Sequence, residues 1–465
     1  MATKQEMRTE KDSMGEMQVP VGAYYAAQTQ RAVENFPISA LRFPRSMIAA
    51  LGLIKGCAAK VNAGLGLVDG ERADLIQKAA AEVESGALDA HFVVDIFQTG
   101  SGTSSNMNAN EVIANRAKEL SSGNVAVHPN DHVNNSQSSN DVIPTAIHIA
   151  LAKELTADLI PALGMLEKAL AQKAEEFSDI VKTGRTHLQD ATPITLGQEF
   201  SGYARQVQLG IERVKRSLPS IYELPLGGTA VGTGLNTHPD FARKVIAELS
   251  ERTGLPFAEA ANHFEAQAAK DGLVEMSGQL KTIACSLAKI ANDIRWLGSG
   301  PRCGIGELQL PEVQPGSSIM PGKVNPVIAE SLLMVCAQVV GNDAAVNMGG
   351  YLGSTFELNV AMPVMAYNIL QASELLAAGA RNFAAKCVSG IEPNRERLAE
   401  LAEASIANCT ALAPIIGYDK AAQLAKTAFK TGKPLRQVAI EEQVLPEDEL
   451  AKVLDLLRMT KPGLV

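Results

Sequence analysis

The chain has 465 residues, of which 46% are hydrophobic and 20% are charged, so it is long and apolar enough to bury a large core in two or three domains. The formal net charge is −9, from 42 basic and 51 acidic residues mixed along the chain, which argues against nucleic-acid and membrane-surface binding and favours a small ligand. Six cysteines without C-x-x-C spacing are typical of reduced thiols in a cytosolic protein rather than of a disulfide framework or a zinc site.

The N-terminal segment MATKQEMRTEKDS contains Glu6, Glu10 and Asp12, acidic residues that a signal or transit peptide avoids. No apolar run in the chain is expected to approach the length of a membrane span. The sequence therefore predicts a cytoplasmic protein.

The first polar cluster is GSGTS at residues 100–104. It precedes a predicted helix that runs through Val112, and Thr103 or Ser104 is the predicted N-cap. The start of a helix presents free backbone N–H groups and a positive dipole end, which bind anions such as carboxylates. A single cluster of this kind is more often a plain cap, but similar clusters recur at three later points, which favours a binding site.

A polar, turn-rich stretch at residues 123–140 predicts a domain boundary near Ser138. His128 and His132 in this stretch have i, i+4 spacing, but Pro129 disfavours the helix that would direct both rings at a metal ion. No third ligand is evident from the sequence. We therefore predict no metal site.

The second polar cluster, SQSSND at residues 136–141, precedes a long predicted helix at residues 142–176. Leucines recur on one face of this helix. Asn140 or Asp141 is its predicted N-cap, and Pro161 predicts a kink. At 1.5 Å per residue the helix would be about 50 Å long.

The third polar cluster, GRTHLQD at residues 184–190, follows this helix and precedes Thr192-Pro193, a pattern typical of a helix start. Its His187 is a residue type suited to proton transfer near neutral pH, although a lone histidine is more often structural. Because the long helix separates His187 from Ser138, the two clusters are not expected to meet in one subunit. Either one site is assembled from several chains, or only one of the two clusters is functional.

A glycine-rich segment, GGTAVGTG at residues 227–234, lacks the spacing of a dinucleotide-binding loop and is predicted to be a structural turn. The clearest helical periodicity follows at residues 273–297, where eight apolar residues are spaced alternately by three and four. This is the heptad pattern of a bundle helix. Because strand-like alternation is almost absent, the predicted fold is mostly α, with a central bundle of long antiparallel helices.

The fourth polar cluster, GSSIMPGKVNP at residues 316–326, places two hydroxyls, an ammonium and an amide among chain breakers. Its glycines are six apart and Lys323 is followed by valine, which excludes a nucleotide-binding phosphate loop. Asn325 is the predicted N-cap and Pro326 the predicted first residue of the next helix.

Turn residues at 390–394 predict a linker in which Asn394 caps a helix at residues 395–404. The predicted domains are an N-terminal, mainly helical domain at residues 1–138, a central helix bundle at 139–392 and a small C-terminal helical domain at 393–465.

The segment GSSIMPGKVNP resembles the signature of the aspartase/fumarase superfamily. Within it, the resemblance to the class II fumarases extends over nearly the whole chain, through QTGSGTSSNMNANEVIANR, HPND, SQSSNDVIPTA, GRTHLQDATPITLGQE, GGTAVGTGLNTHP and GPRCGIGE. It implies three domains and a homotetramer whose twenty-helix core carries four sites, each built from three subunits. It also implies reversible anti elimination of water from L-malate to give fumarate, without a metal or an organic cofactor.

The resemblance assigns roles to individual residues. It implies that Ser317 is the base that removes the C3 proton, with Lys323 among its supporting donors. Lys323 and Asn325 would hold the carboxylate whose charge rises as that proton leaves. His187, oriented by Glu330, would handle the proton delivered to the departing hydroxyl. The other substrate-binding residues that it implies are Ser101, Gly102, Thr103, Ser138, Ser139, Asn140, Thr186, Ser318 and Val324.

A second, non-catalytic dicarboxylate site is implied at His128, Pro129, Asn130 and Asp131. Some members of the family carry a basic residue before this segment. The present chain has the uncharged residues NVAV at 124–127, which departs from that pattern.

Two alternatives stand beside a fumarate hydratase. The first is an aspartate ammonia-lyase, although aspartases typically carry glutamine in place of His187 and alanine in place of Gly322. The second is a bundle protein that has lost catalysis, as lens relatives in this superfamily have. The presence of Ser317, Lys323 and Asn325 argues against this second alternative.

Overall fold

The structure, a computed structural model, describes residues 6–463 and is built mainly from helices, which confirms the predicted fold class. Over these residues the α-helices are α1 (Ala27–Asn35), α2 (Arg45–Gly64), α3 (Gly70–Ser85), α4 (Thr103–Leu120), α5 (Ser139–Glu154), α6 (Ile160–Glu176), α7 (Leu196–Tyr222), α8 (Phe241–Thr253), α9 (His263–Ala268), α10 (Asp271–Leu297), α11 (Val327–Gly353), α12 (Met362–Lys386), α13 (Arg395–Ala404), α14 (Ala413–Ile416), α15 (Tyr418–Thr431), α16 (Leu435–Glu441) and α17 (Glu447–Val453).

Strands occur only in two-stranded pairs within the described residues. The strands are β1 (Met7–Asp12), β2 (Gly15–Pro20), β3 (Val181–Thr186), β4 (Gln189–Thr195), β5 (Glu223–Leu224), β6 (Ala258–Glu259), β7 (Leu308–Gln309), β8 (Ser354–Thr355), β9 (Leu358–Asn359) and β10 (Glu392–Pro393). The pairs β1–β2, β3–β4, β7–β10 and β8–β9 are antiparallel, and β5–β6 is parallel.

The described chain divides into two compact units. The first unit contains the residues up to 161 together with 212–284 and 337–377. The second contains 162–211, 285–336 and the residues from 378 onward. The predicted division into domains at residues 1–138, 139–392 and 393–465 remains a prediction.

Helix α2 is the central element of the first unit. It is buried over most of its length and packs against α3, α5 and α8. Gly52 allows α2 and α3 to approach closely, because a Cβ at this position would lie only 2.8 Å from the carbonyl oxygen of Ala80. Two polar side chains on α2, Lys55 and Asn62, are also fully buried, so the core of this unit contains a polar network as well as apolar packing.

The long helix that the sequence predicts at residues 142–176 is present. Helix α5, a π-helical turn at Leu155–Leu159 and α6 follow one another without a gap. The wide turn ends two residues before Pro161, which has no N–H to bond the carbonyl of Ala157. The start of the helix was predicted three residues too late.

The heptad pattern is confirmed by burial. Helix α10 covers residues 271–297, and each of its eight seam residues is at most 6% exposed. The seam residues are Leu273, Met276, Leu280, Ile283, Leu287, Ile290, Ile294 and Leu297.

Two helices correct the expectation that no apolar run approaches a membrane span. Helices α2 and α11 are long and apolar enough to cross a membrane by length and composition alone. Helix α2 is mostly buried, as the core helix of a globular protein is, whereas only a third of the corresponding window of α11 is buried. Large apolar side chains of α11 are therefore exposed on the single chain, among them Met334, Met348 and Leu352.

The C-terminal part of the second unit has an apolar cluster of its own, formed by residues between 411 and 454 such as Leu412, Leu424 and Leu450. Before it, Asn394 caps α13 as predicted, because its side-chain oxygen accepts a hydrogen bond of 3.2 Å from Arg397 N.

Candidate active site

The first polar cluster lies at the start of α4, in the first unit. The N-cap is Gly102, which has a left-handed conformation with φ of 72° and makes no side-chain cap bond. The prediction of Thr103 or Ser104 as the cap was therefore wrong. A Cβ on Gly102 would lie 2.9 Å from the side chain of Ile143 in α5, so only glycine fits this turn. The turn brings the hydroxyls of Ser101 and Thr103 to 2.8 Å from each other.

The second polar cluster lies at the start of α5, also in the first unit. Ser138 is the N-cap, and it forms a capping box with Asp141: Ser138 Oγ accepts from Asn140 N, and Asp141 Oδ1 accepts from Ser138 N. Neither Asn140 nor Asp141 is the cap itself, which corrects the prediction. The cap lies two or three residues earlier than predicted, which explains why the helix also begins earlier.

Asp141 joins this cluster to the glycine-rich segment at 227–234. Its Oδ2 accepts hydrogen bonds from Gly227 N at 2.9 Å and from Thr229 N at 3.0 Å. Complete burial raises the pKa of Asp141 to about 6, while its three backbone N–H donors act in the opposite direction. Nearby, Asn140 Nδ2 donates to the carbonyl of Ala230. The glycine-rich segment thus fixes the start of α5.

A hydrogen bond between α4 and α5 determines whether one hydroxyl oxygen acts as an acceptor. Asn106 Nδ2 donates to Ser139 Oγ at 3.0 Å. Because the oxygen of Ser139 accepts there, its own hydrogen is free to donate elsewhere. The first unit therefore presents hydroxyl donors and the starts of α4 and α5, an arrangement suited to a carboxylate.

The segment His128–Asp131 enters a π-helical turn at Pro129–Val133. His128 Nδ1 accepts from Asp131 N at 3.1 Å, and His132 Nδ1 accepts from His128 N at 2.8 Å. Both rings thus use Nδ1 as an acceptor for the local backbone. Within residues 6–463 no group of three or more His, Cys, Asp or Glu side chains is arranged to hold a metal ion.

His187 lies at the tip of a β-hairpin in the second unit. Strands β3 and β4 pair up to Thr186 and Gln189, and His187 and Leu188 form the turn with φ of 55° and 59°. Positive φ at both turn residues is typical of a tight two-residue hairpin. The side chains of Thr186 and His187 are exposed. Thr192-Pro193, predicted to start a helix, belongs instead to β4, and α7 begins at Leu196.

A buried cluster of charges supports the base of this hairpin. Lys182 is 1% exposed and Glu307 is 0% exposed, and their side chains lie 3.3 Å apart. Arg185 Nη2 forms a second ion pair with Glu307 at 2.8 Å, and Lys182 also contacts Glu199 at 3.2 Å. Burial raises the pKa of Glu199, and the ammonium of Lys182 opposes this shift.

The fourth polar cluster, at 316–326 in the second unit, is a closed loop. Gly316 N donates to the carbonyl of Lys323 at 2.7 Å, and Asn325 Nδ2 donates to the carbonyl of Gly316 at 2.6 Å. A Cβ on Gly316 would lie 2.6 Å from that Lys323 oxygen, so the closure requires glycine. Ser317, Ser318, Lys323 and Val324 all lie on this loop, and the last three are exposed.

Ser317 Oγ accepts hydrogen bonds from two backbone amides. Ile319 N lies at 3.2 Å and Met320 N at 2.9 Å. Two N–H donors directed at one hydroxyl oxygen favour negative charge on that oxygen. Two backbone donors are therefore directed at the oxygen of the predicted base.

The helix after this loop begins later than predicted. Helix α11 starts at Val327, not at Pro326, and the side chain of Asn325 bonds to the loop rather than capping the helix. Glu330 lies in the first turn of α11, where its N–H bonds to the carbonyl of Pro326. Its side chain is half-buried.

A cavity of about 500 Å³ lies beside this loop in the second unit, with Gly322, Asn325 and Asn394 among its lining residues. Ser317 and His187 do not line it. This cavity is therefore not a pocket around the predicted base.

Comparison with known proteins assigns the family. A family model described as "Lyase" matches residues 15–341, and one described as "Fumarase C C-terminus" matches residues 409–461. The chain is 57% identical to "Fumarate hydratase class II" of Corynebacterium glutamicum, over 98% of this chain and 97% of that protein. It is 56% identical to the protein of the same name from Mycobacterium tuberculosis, over 98% and 96% of the two chains. The chain belongs to the class II fumarate hydratase family.

Solved structures agree with this assignment. The class II fumarase of Schistosoma mansoni has a TM-score of 0.94 and 41% identity, and the match covers 98% of this chain and 99% of that one. A fumarate lyase:delta crystallin protein from Brucella melitensis bound to cobalt has a TM-score of 0.93 and 45% identity, with 98% and 100% covered.

The sequence of this class II fumarate hydratase family member did not reveal the buried polar residues that pair around the candidate site. Asp141 is predicted only as a cap, Glu307 enters only as the last residue of the segment GPRCGIGE, and Lys55 and Lys182 carry no prediction. The partners of these residues are distant in the chain, so no local spacing reveals them. A charged residue inside an otherwise apolar helix, such as Lys55 in α2, is the one signal that was available.

Replacing Glu307 by glutamine is expected to lower the free energy of unfolding by about 3–5 kcal/mol, because it leaves the buried ammonium of Lys182 without one of its two counter-charges. Chemical denaturation at matched protein concentration measures this loss. The control is Glu400→Gln, which breaks an exposed pair with Arg397 and is expected to cost about 0–1 kcal/mol. Equal losses in the two variants would contradict the role of the buried cluster.

Proposed function

We infer that the chain catalyses the reversible hydration of fumarate to L-malate, by anti addition and elimination of water. The observation that carries this inference is the 57% identity over almost the whole chain to a relative named fumarate hydratase class II. The support given to Ser317 Oγ by two backbone N–H donors agrees with it. The proposed substrate is a small dicarboxylate, and the proposed mechanism uses no metal or organic cofactor.

In the proposed mechanism Ser317 acts as the base in the direction from L-malate. Its oxygen removes the C3 proton, and the adjacent carboxylate takes up the charge that the broken C–H bond leaves behind. The ammonium of Lys323 stabilises this charge. The negative charge on the carboxylate is larger in the transition state than in the ground state, so the ammonium stabilises the transition state more. Asn325 donates one amide hydrogen to Gly316 O and keeps its second hydrogen for the substrate.

The other end of the dicarboxylate is proposed to bind to the starts of α4 and α5. Ser101 and Thr103 share one hydrogen bond, so one hydrogen of the pair remains for a ligand oxygen. Ser139 accepts from Asn106 and likewise keeps its hydrogen. Further proposed contacts at this end and in the loop are Gly102, Ser138, Asn140, Thr186, Ser318 and Val324.

His187 is proposed to deliver the proton to the departing hydroxyl, directly or through water, with Glu330 orienting the ring. The exposed position of His187 at the tip of the β3–β4 hairpin supports this role, since the ring is accessible to a ligand. Glu330 as its partner is a proposal based on the family resemblance.

The complete site is proposed to combine residues from three subunits of a homotetramer. The sequence argument for this assembly is the length of the helix predicted at residues 142–176, which would keep the second and third polar clusters from meeting in one subunit. The exposed apolar side chains of α11, such as Met334 and Leu352, also support an oligomer, because a helix that is apolar on all sides is normally covered. A cytoplasmic location and a second dicarboxylate site at His128–Asp131 are further proposals.

The function is tested by following the absorbance of fumarate with L-malate and with L-aspartate as separate substrates. We expect fumarate to form from L-malate and not from L-aspartate. Formation from L-aspartate alone would show an ammonia-lyase instead. Formation from neither substrate would indicate a bundle protein without this catalysis.

A further inference from the structure

Lys55 lies in α2 and is fully buried, yet the mechanism proposed above gives it no part. Its Nζ donates hydrogen bonds to two amide oxygens, Asn134 Oδ1 and Gln137 Oε1, each at 2.9 Å. Both acceptors belong to the turn that leads into Ser138, the N-cap of α5. Lys55 is thus tied directly to the segment that carries the proposed carboxylate-binding hydroxyls.

Asn134 is the centre of the network around Lys55. Besides the ammonium, Asn134 Oδ1 accepts from Asn106 Nδ2 and Asn110 Nδ2, each at 3.1 Å. Its own Nδ2 donates to the carbonyl of Gln137 at 3.0 Å. Three donors at the oxygen and one acceptor at the nitrogen fix the orientation of this amide.

The same network continues to Ser139. Asn106 Nδ2 has two hydrogens, of which one bonds to Asn134 Oδ1 and the other to Ser139 Oγ. If the amide of Asn106 turned over, its oxygen would face Ser139 and would take up the hydroxyl hydrogen. The position of Asn134 therefore decides whether Ser139 can donate to a ligand.

Removing the ammonium would disturb this arrangement at two points. Gln137 Oε1 would lose its donor from Lys55, and Asn134 Oδ1 would lose one of three. Unpaired polar groups in a buried position are costly, so the turn would rearrange to find other partners. The rearrangement would fall on the residues directly before Ser138 and Ser139.

We propose that Lys55 is a positioning residue for dicarboxylate binding, which holds the 134–138 turn so that Ser139 presents its hydroxyl hydrogen to a carboxylate of the substrate. This role rests on the proposed function, because it concerns the same carboxylate subsite. Lys55 acts through Asn134 and Asn106 and does not itself contact the substrate.

The test is the variant Lys55→Met, assayed with L-malate and with fumarate as full-length protein. We expect KM to rise about tenfold for both substrates, because a hydrogen bond to a charged ligand is weakened. We expect kcat to stay within about threefold. The matched control is Lys60→Met on the same helix, where Lys60 is exposed and pairs with Glu248; its KM and kcat should not change.

A second substitution separates positioning from a general loss of folded protein. In the double variant Lys55→Met, Ser139→Ala, KM should equal that of Ser139→Ala alone, because Lys55 acts through Ser139. Unfolding alone would lower the apparent kcat and leave KM unchanged. An unchanged KM in Lys55→Met, or multiplication of the two effects on KM in the double variant, would overturn the proposal.

If Lys55→Met does not yield folded protein, Gln137→Met provides the same test from the other side of the hydrogen bond. It removes the acceptor oxygen of Gln137 but leaves the hydrogen bond from the Lys55 ammonium to Asn134 Oδ1. We therefore expect KM to rise about threefold with kcat retained. An unchanged KM in this variant would contradict the proposal. The wild-type assay separates the two claims: no hydratase activity refutes the proposed function, whereas normal activity with an unchanged KM in the variants refutes only the role of Lys55.

Discussion

Replacing Ser317 by alanine is expected to lower kcat for L-malate by about 10²- to 10⁴-fold, the usual contribution of a positioned general base. The two backbone N–H groups that bond to Ser317 Oγ belong to exposed residues, Ile319 and Met320. Water can replace the lost acceptor there, so the loop is expected to keep its shape. The loss of rate would then report the chemistry and not a collapse of the loop.

Steady-state kinetics together with binding of a saturated dicarboxylate inhibitor test this prediction. The inhibitor should bind Ser317→Ala with nearly wild-type affinity, because the carboxylate contacts remain. The control is Ser85→Ala, at an exposed serine that bonds to the carbonyl of Glu82 at the end of α3, and it should have wild-type kcat. Wild-type kcat in Ser317→Ala would show that another group is the base.

Replacing Lys323 by methionine is the second large effect and is expected to lower kcat/KM by about 10²- to 10³-fold. The side chain becomes one heavy atom shorter and loses the charge that would stabilise the carboxylate as the C3 proton leaves. Because that charge is greater in the transition state, kcat should fall as well as KM rise. The backbone closure of the loop through the Lys323 carbonyl does not depend on the side chain.

The control for this variant is Lys386→Met, at an exposed lysine at the end of α12, which should leave both constants unchanged. The variant Lys323→Arg should retain more activity than Lys323→Met, since it keeps the positive charge. A rise in KM with an unchanged kcat in Lys323→Met would mean that Lys323 only binds substrate.

The sequence predicted the long helices correctly because their signal is local and periodic. The heptad seam at residues 273–297 is buried throughout α10, and the leucine face at 142–176 corresponds to α5 and α6. Burial of an apolar stripe determines both, and the stripe is visible in the residues themselves.

Helix starts were predicted less well because several polar residues compete for one cap. At α4 the steric fit of Gly102 against Ile143 decides the turn, and at α5 the capping box between Ser138 and Asp141 decides it. The choice depends on tertiary neighbours, which a short segment does not contain. At α11 the side chain of the predicted cap, Asn325, closes the loop on Gly316 instead.

The buried polar residues around the candidate site could not be predicted from short segments of the sequence. Lys55 bonds to partners about eighty residues away, and Arg185 bonds to Glu307 across 122 residues. Such pairs become visible only when the chain is folded. The residues proposed to contact the substrate lie in short polar segments between helices, and their individual roles are predictions from the family resemblance.

We propose that one active site combines residues of different protomers, and mixed tetramers distinguish this arrangement from a site within one chain. Ser317→Ala and His187→Asn chains, each with a different affinity tag, are co-expressed in equal amounts. If Ser317 and His187 of one site come from different chains, about a quarter of the sites in randomly assorted tetramers contain neither substitution. We predict activity near a quarter of wild type, far above either variant alone. Activity equal to the mean of the two separate variants, in tetramers shown to contain both tags, would show that Ser317 and His187 of one site belong to the same chain.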